Sequence, residues 1–188
     1  MKYFTKIPGR IDVDPLVAQL DAQSHLWNQN PQRRDVGRSP HARMSDIWVR
    51  YNAKERFVDL ASFNDEHVPV WYPAFRQLPA VRPIINKLMA AFQGEMLGGV
   101  LITRIPPGEG IGKHIDRGWH VDYYDKFYVS LRSAPGANFH CADEVINPEP
   151  GDVYWFDNRA EHWVENNSVE DRITLIVCIR TAFFRGES

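Results

Sequence analysis

The residues best suited to chemistry in this 188-residue chain lie in one run, IPPGEGIGKHIDRGWH, where a single residue separates His114 from Asp116. Side chains alternate between faces along a strand, so this spacing turns an imidazole nitrogen and a carboxylate oxygen to the same side. A distant second histidine would complete a 2-His-1-carboxylate face, a donor set that holds non-haem Fe(II) and leaves positions open for a co-substrate and O2. His162 is the candidate, 48 residues after His114, where it follows GDVYWFDNRAE in a turn-and-strand context. Ten residues further, Arg172 opens the run RITLIVCIRT. A guanidinium beside such a site can grip the distal carboxylate of a 2-oxo-diacid bidentately, leaving the 2-oxo acid end to chelate the metal. The four residues together are far more specific than any one of them.

Competing chemistries fit less well. Gly108, Gly110 and Gly112 in PPGEGIGKH lack the GxxxxGK[ST] order and the strand-to-helix context of a phosphate loop, and read instead as a turn delivering the histidine and aspartate. No Ser-His-Asp order emerges, and Cys141 beside His140 would point to the opposite face of a strand. Two cysteines, Cys141 and Cys178, are too few for a disulfide framework and lack thiolate-zinc spacing. With 22 Lys and Arg against 24 Asp and Glu, the net charge of −2 provides no field to gather nucleic acid or coat a membrane. No run of about 18 uncharged apolar residues exists, and no signal-like start, so the expected setting is cytoplasmic.

The elements that must position these groups can be read from periodicity. With 44% hydrophobic residues, the chain is expected to form one domain over 1–188, with helices and loops in 1–94 and most of the β core in 95–182. Asp14 to Trp27 predicts a helix capped by Asp14, with Pro15 in its first turn and Leu16 and Leu20 on its apolar stripe. Asn28 to Arg43 reads as a loop whose Arg33, Arg34, Arg38 and Arg43 either meet a negative substrate or are simply solvated. Asp46 to Tyr51 alternates like a strand, and Val81, Ile84, Ile85, Leu88, Met89 and Phe92 mark a helix between Pro79 and Gly94. Beyond it, MLGGVLITRI, FYVSLRS, ANFHCA, DVYWF, HWVEN and RITLIVCIRT are separated by Gly/Pro turns without helices. That pattern predicts a mainly β fold, a double-stranded β-helix (jelly-roll, cupin-like) core with N-terminal and flanking helices.

The region from about Tyr51 to Thr181 resembles the aspartyl/asparaginyl β-hydroxylase family of Fe(II)- and 2-oxoglutarate-dependent dioxygenases. The likeness is strongest through LITRIPPGEGIGKHIDRGWH and EPGDVYWFDNRAEHWVENNSVEDRITLIV. The resemblance implies that His114 and His162 are the iron histidines and that Arg172 anchors 2-oxoglutarate. Asp116 matches the carboxylate of many members, whereas the human-type aspartyl hydroxylase has glycine there. Thr103, eleven residues before His114, falls where the family places a hydroxyl near the co-substrate. Lys126 and Tyr128 stand where the animal enzymes carry an arginine and a histidine around the co-substrate or substrate, a departure that weakens the case for a peptidyl Asp or Asn.

The remaining histidines, His25, His41, His67, His120 and His140, read first as core or surface residues, with His120 and His140 near enough to the donor set to line a cleft. Trp119 and Trp155 could wall the site, although sheet core is the plainer reading of Trp155. Arg50 could reach into the cavity by charge and alternation, and Arg43 with less support. The favoured function is hydroxylation of a free amino acid or small carboxylated metabolite. Its alternatives are a peptidyl Asp/Asn hydroxylase, a non-catalytic cupin-like binding domain and a zinc-dependent hydrolase. The residues do not fix the carbon oxidised or the oligomeric state.

Overall fold

The computed structural model describes residues 1–34, 39–59 and 68–181. Two antiparallel sheets face each other. The larger has seven strands in the order β1-β9-β6-β11-β4-β2-β3, and the smaller four in the order β5-β10-β7-β8. The large sheet comprises β1 (Phe4–Ile7), β2 (Ser45–Asn52), β3 (Pro69–Trp71), β4 (Met96–Ile105), β6 (Asp125–Arg132), β9 (Val153–Phe156) and β11 (Arg172–Arg180). The small one comprises β5 (Gly110–His114), β7 (Ala137–Cys141), β8 (Glu144–Ile146) and β10 (His162–Asn166). Two antiparallel sheets with flanking helices make the double-stranded β-helix, and the six β-rich segments read from the sequence are its strands β4, β6, β7, β9, β10 and β11.

Alternation divides the work of the large sheet. Val100 and Ile102 of β4, Phe127 and Val129 of β6, and Leu175 and Val177 of β11 face a helical layer. This layer is built from α1 (Asp14–Ala22) and α3 (Val81–Ala91), which follows the single-turn α2 (Ala74–Gln77). Leu16 and Leu20 of α1 and Val81, Ile84, Ile85 and Leu88 of α3 are buried against the sheet, as their spacing requires. Asp14 is the first helical residue rather than the cap: Val13 holds that position and makes no side-chain cap bond. The opposite face meets the small sheet, where Phe4, Ile105, Phe139, Phe156 and Val164 form a second core. None of the helices among the described residues is long and apolar enough to cross a membrane.

Between Glu109 and His114 the chain must run tightly against β10. A Cβ on Gly110 would sit 2.3 Å from the Val164 carbonyl oxygen, so only glycine allows the approach. This approach sets β5 in register with β10 and brings His114 opposite His162.

Candidate metal centre

His114 closes β5, His162 opens β10, and Asp116 lies just past the end of β5, so one cross-strand pair and one two-residue step bring three donors together. Their ligand atoms all lie within 4.8 Å of one another. His114 Nε2 is 3.7 Å from Asp116 Oδ1, and the two imidazole rings are 4.2 Å apart. Each histidine has its Nδ1 against a backbone carbonyl two residues earlier, His114 with Gly112 at 2.7 Å and His162 with Ala160 at 2.9 Å. An Nδ1–H donated there leaves Nε2 with its lone pair free to ligate. Burial pushes both imidazoles below their ordinary pKa, His162 to about 4, so both are neutral near pH 7.

The carboxylate is held from behind. Asp116 Oδ2 accepts hydrogen bonds from Asn158 Nδ2 at 3.0 Å and from the Lys126 ammonium, while the Asp116 N–H donates to the Asn158 carbonyl at 3.1 Å. Burial alone would raise its pKa, but the adjacent Lys126, His162 and Asn158 outweigh that and hold the carboxyl well below the usual range. Two neutral imidazoles and one ionised carboxylate on a single side form a donor set suited to non-haem iron, so the residues present fit the metal.

The donors open on a cavity of about 770 Å³ between the sheets. Its apolar wall includes Leu101, Ile111, Phe139, Val164 and Ile176, and its polar lining includes Arg33, His41, Thr103, Arg117, His120, Lys126 and Tyr128. Thr103 and Tyr128 therefore line the same cavity as the three donors. Lys126 lines it too, with its ammonium committed to Asp116. Arg172 is only 3% exposed and is not among the cavity-lining residues; its guanidinium lies over the Phe139 ring at 5.7 Å. No carboxylate among the described residues pairs with it, and burial pushes its pKa down to about 10. A buried cation without an anion is costly, and a ligand carboxylate would relieve that cost.

Several expected contacts do not form. Arg50 points out of the cavity, toward the Leu97 carbonyl at 3.4 Å and over Trp71, because the β2–β4 register shifts between Trp48 and Arg50. The bulge exchanges the faces, and Tyr51 lines the cavity instead. Arg43 is exposed and pairs with Glu109. Trp119, the first residue of α4 (Trp119–Tyr123), is 41% exposed and stacks on Tyr123. Trp155 pairs in register with Phe127 on the helix-facing side and donates to Asp125. His140 stacks on Trp163 and His25 lies beside Gln77, while Arg38 and His67 fall outside the described residues.

Other residues gained roles that sequence reasoning had not given them. Asn158 clamps Asp116; its place in the turn four residues before His162 was the available signal. The His41 ring stands 5.1 Å from that of His114, and its Nδ1 is buried without a hydrogen-bond partner among the described residues. Arg33 is buried on Asp46, to which it donates at 3.1 Å, and is thus a fixed part of the wall rather than a solvated loop residue. Cys178, a free buried thiol, lines the cavity beside Lys126.

A jelly-roll core presenting two histidines and a carboxylate to an inter-sheet cavity defines an Fe(II)/2-oxoglutarate-dependent oxygenase of cupin-like fold. The chain belongs to the aspartyl/asparaginyl β-hydroxylase family, whose model matches residues 40–181. That membership and the 2-His-1-carboxylate donor set together support oxygenase chemistry over the zinc hydrolase and the non-catalytic binding domain. The fold is similar to that of an oxidoreductase of the 2OG-Fe(II) oxygenase family from Burkholderia pseudomallei, with a TM-score of 0.60, 18% identity, and coverage of 95% of this chain and 84% of that one. It is also similar to the viral collagen prolyl hydroxylase of Paramecium Bursaria Chlorella virus-1, solved as a 2OG complex (TM-score 0.53, 14% identity, 96% of each chain). A third similar structure is a prolyl hydroxylase from Trichoplax adhaerens in complex with a hypoxia inducible factor peptide fragment (TM-score 0.54, 15% identity, 97% and 85%). No curated protein matches the chain.

Proposed function

We propose that the protein uses Fe(II), 2-oxoglutarate and O2 to hydroxylate a C–H bond of a free amino acid or small carboxylated metabolite. The observation that carries this reading is the buried Arg172 guanidinium, which has no carboxylate partner among the described residues and lies over Phe139, a wall of the cavity that the iron-suited donor set also lines. His114, Asp116 and His162 would hold the iron on one side and leave its other side to ligands. The bound iron supplies the oxidising chemistry, in which 2-oxoglutarate becomes succinate and carbon dioxide while one oxygen atom enters the substrate.

The protein's part is placement. Arg172 would receive the distal carboxylate of 2-oxoglutarate, and the Thr103 hydroxyl and Tyr128 phenol, on the neighbouring strands β4 and β6, would be its further donors. Leu101, Ile111, Val164 and Ile176 keep water from the reacting centre. His41 and Arg117, which also line the cavity, offer a polar ring and a cation to the substrate. The cavity volume falls in the range typical of small-molecule sites, about 300–1,000 Å³. A peptidyl Asp or Asn is the second reading, favoured by the description of the family.

Incubation with Fe(II), 2-oxoglutarate and oxygen across free amino acids, small dicarboxylates and Asp/Asn peptides tests the assignment. Succinate and substrate gaining one oxygen atom should form in equal amounts with a small carboxylated compound. Coupled turnover confined to peptides would replace this substrate class with the second reading.

A further inference from the structure

We propose that Lys126 is the built-in counter-cation of the metal-ligating carboxylate, a positioning residue that neutralises the donor set and so makes metal binding depend on the dianionic co-substrate. The inference rests on the reading of His114, Asp116 and His162 as metal ligands. Its own basis is a division of labour between the two oxygens of Asp116. Oδ1 faces His114 Nε2 at 3.7 Å, while Oδ2 is taken by the Lys126 ammonium and Asn158. A carboxylate occupied in this way presents a single oxygen to a metal, so the other side of the ion stays open for ligands.

Lys126 is placed for this by the sheet. It projects into the cavity from β6, level with Cys178 of β11, its side chain is only 16% exposed, and Asp116 is its one carboxylate partner among the described residues. It is therefore spent on the donor set rather than held ready for a ligand carboxylate. Lys126 and Asp116 together are neutral, so a dication added to them leaves two positive charges at the donor set, which a dianion such as 2-oxoglutarate offsets; the buried Arg172 adds a further positive charge and favours the dianion in the same sense. Without the ammonium the donor set carries one negative charge and attracts the dication more strongly by itself. Asn158 and the backbone bond from Asp116 still orient the carboxylate in that case.

Titration with Mn(II) alone and then with 2-oxoglutarate present, followed by the electron paramagnetic resonance signal of free Mn(II), tests this on the whole protein. Lys126→Met and Lys126→Gln should bind Mn(II) alone roughly tenfold or more tightly than the wild type. The gain in Mn(II) affinity that 2-oxoglutarate confers should shrink in both, and Lys126→Arg should keep wild-type values. Lys126→Gln retains a hydrogen-bond donor and covers the case in which Lys126→Met fails to fold. Unchanged or weaker Mn(II) binding in the folded neutral variants overturns the inference, and if 2-oxoglutarate binding alone is lost, Lys126 is a co-substrate ligand. A folded wild type that binds neither Mn(II) nor Fe(II) overturns the metal reading itself along with it.

Discussion

Each donor of the metal centre is oriented by a partner that is not itself a ligand, and those partners set the first expectations. Asn158 holds Asp116 through both its side chain and its backbone, so Asn158→Ala should weaken Fe(II) or Mn(II) affinity about 10–100-fold, as measured by metal titration, with little change in fold. Arg172→Met should raise the 2-oxoglutarate concentration needed for half-maximal succinate formation by roughly tenfold or more, since a buried guanidinium–carboxylate pair is lost. An unchanged requirement would show that the anion goes elsewhere. The clustering of His114, Asp116 and His162 was legible in the sequence because residue type, order and local spacing carry it. The bond from Lys126 to Asp116 was not, because it joins β6 to the loop after β5 and exists only once the sheets meet.

At the scale of elements, register decides which side chains reach the cavity. Strict alternation through IWVRY points Arg50 inward, but the shift between Trp48 and Arg50 replaces it with Tyr51. Arg50→Ala is accordingly expected to leave the KM values for co-substrate and substrate within about twofold of wild type, the usual range for a partly exposed charge away from a site. A large rise in either would contradict this geometry. The β5–β10 approach is far less tolerant. Gly110→Ala places a methyl group on the Val164 carbonyl oxygen and should cost about 1–3 kcal/mol in denaturant unfolding while also weakening metal binding, because His114 and His162 lose their pairing. The long strands β4, β6 and β11 were legible as runs of β-branched and aromatic residues. β1, β3 and β8 have only four, three and three residues, too few for alternation to register, and were found only through their pairing.

The whole molecule is a helix-backed sheet whose other face, together with a small sheet, encloses charged groups that a ligand must complete. Metal binding to the folded chain should therefore stabilise it. At a free metal concentration of about 100 times Kd the gain is about 2.7 kcal/mol, which raises Tm by roughly 5–10 °C for a chain of this size, and His162→Ala should abolish that shift in a thermal melt. The most direct test of the central claim is anaerobic titration of 2-oxoglutarate into the Fe(II)-loaded protein while following visible absorption. A metal-to-ligand charge-transfer band should appear that requires both iron and 2-oxoglutarate and is lost in His162→Ala. A folded, iron-loaded wild type that shows no such band and makes no succinate on exposure to oxygen would contradict the assignment.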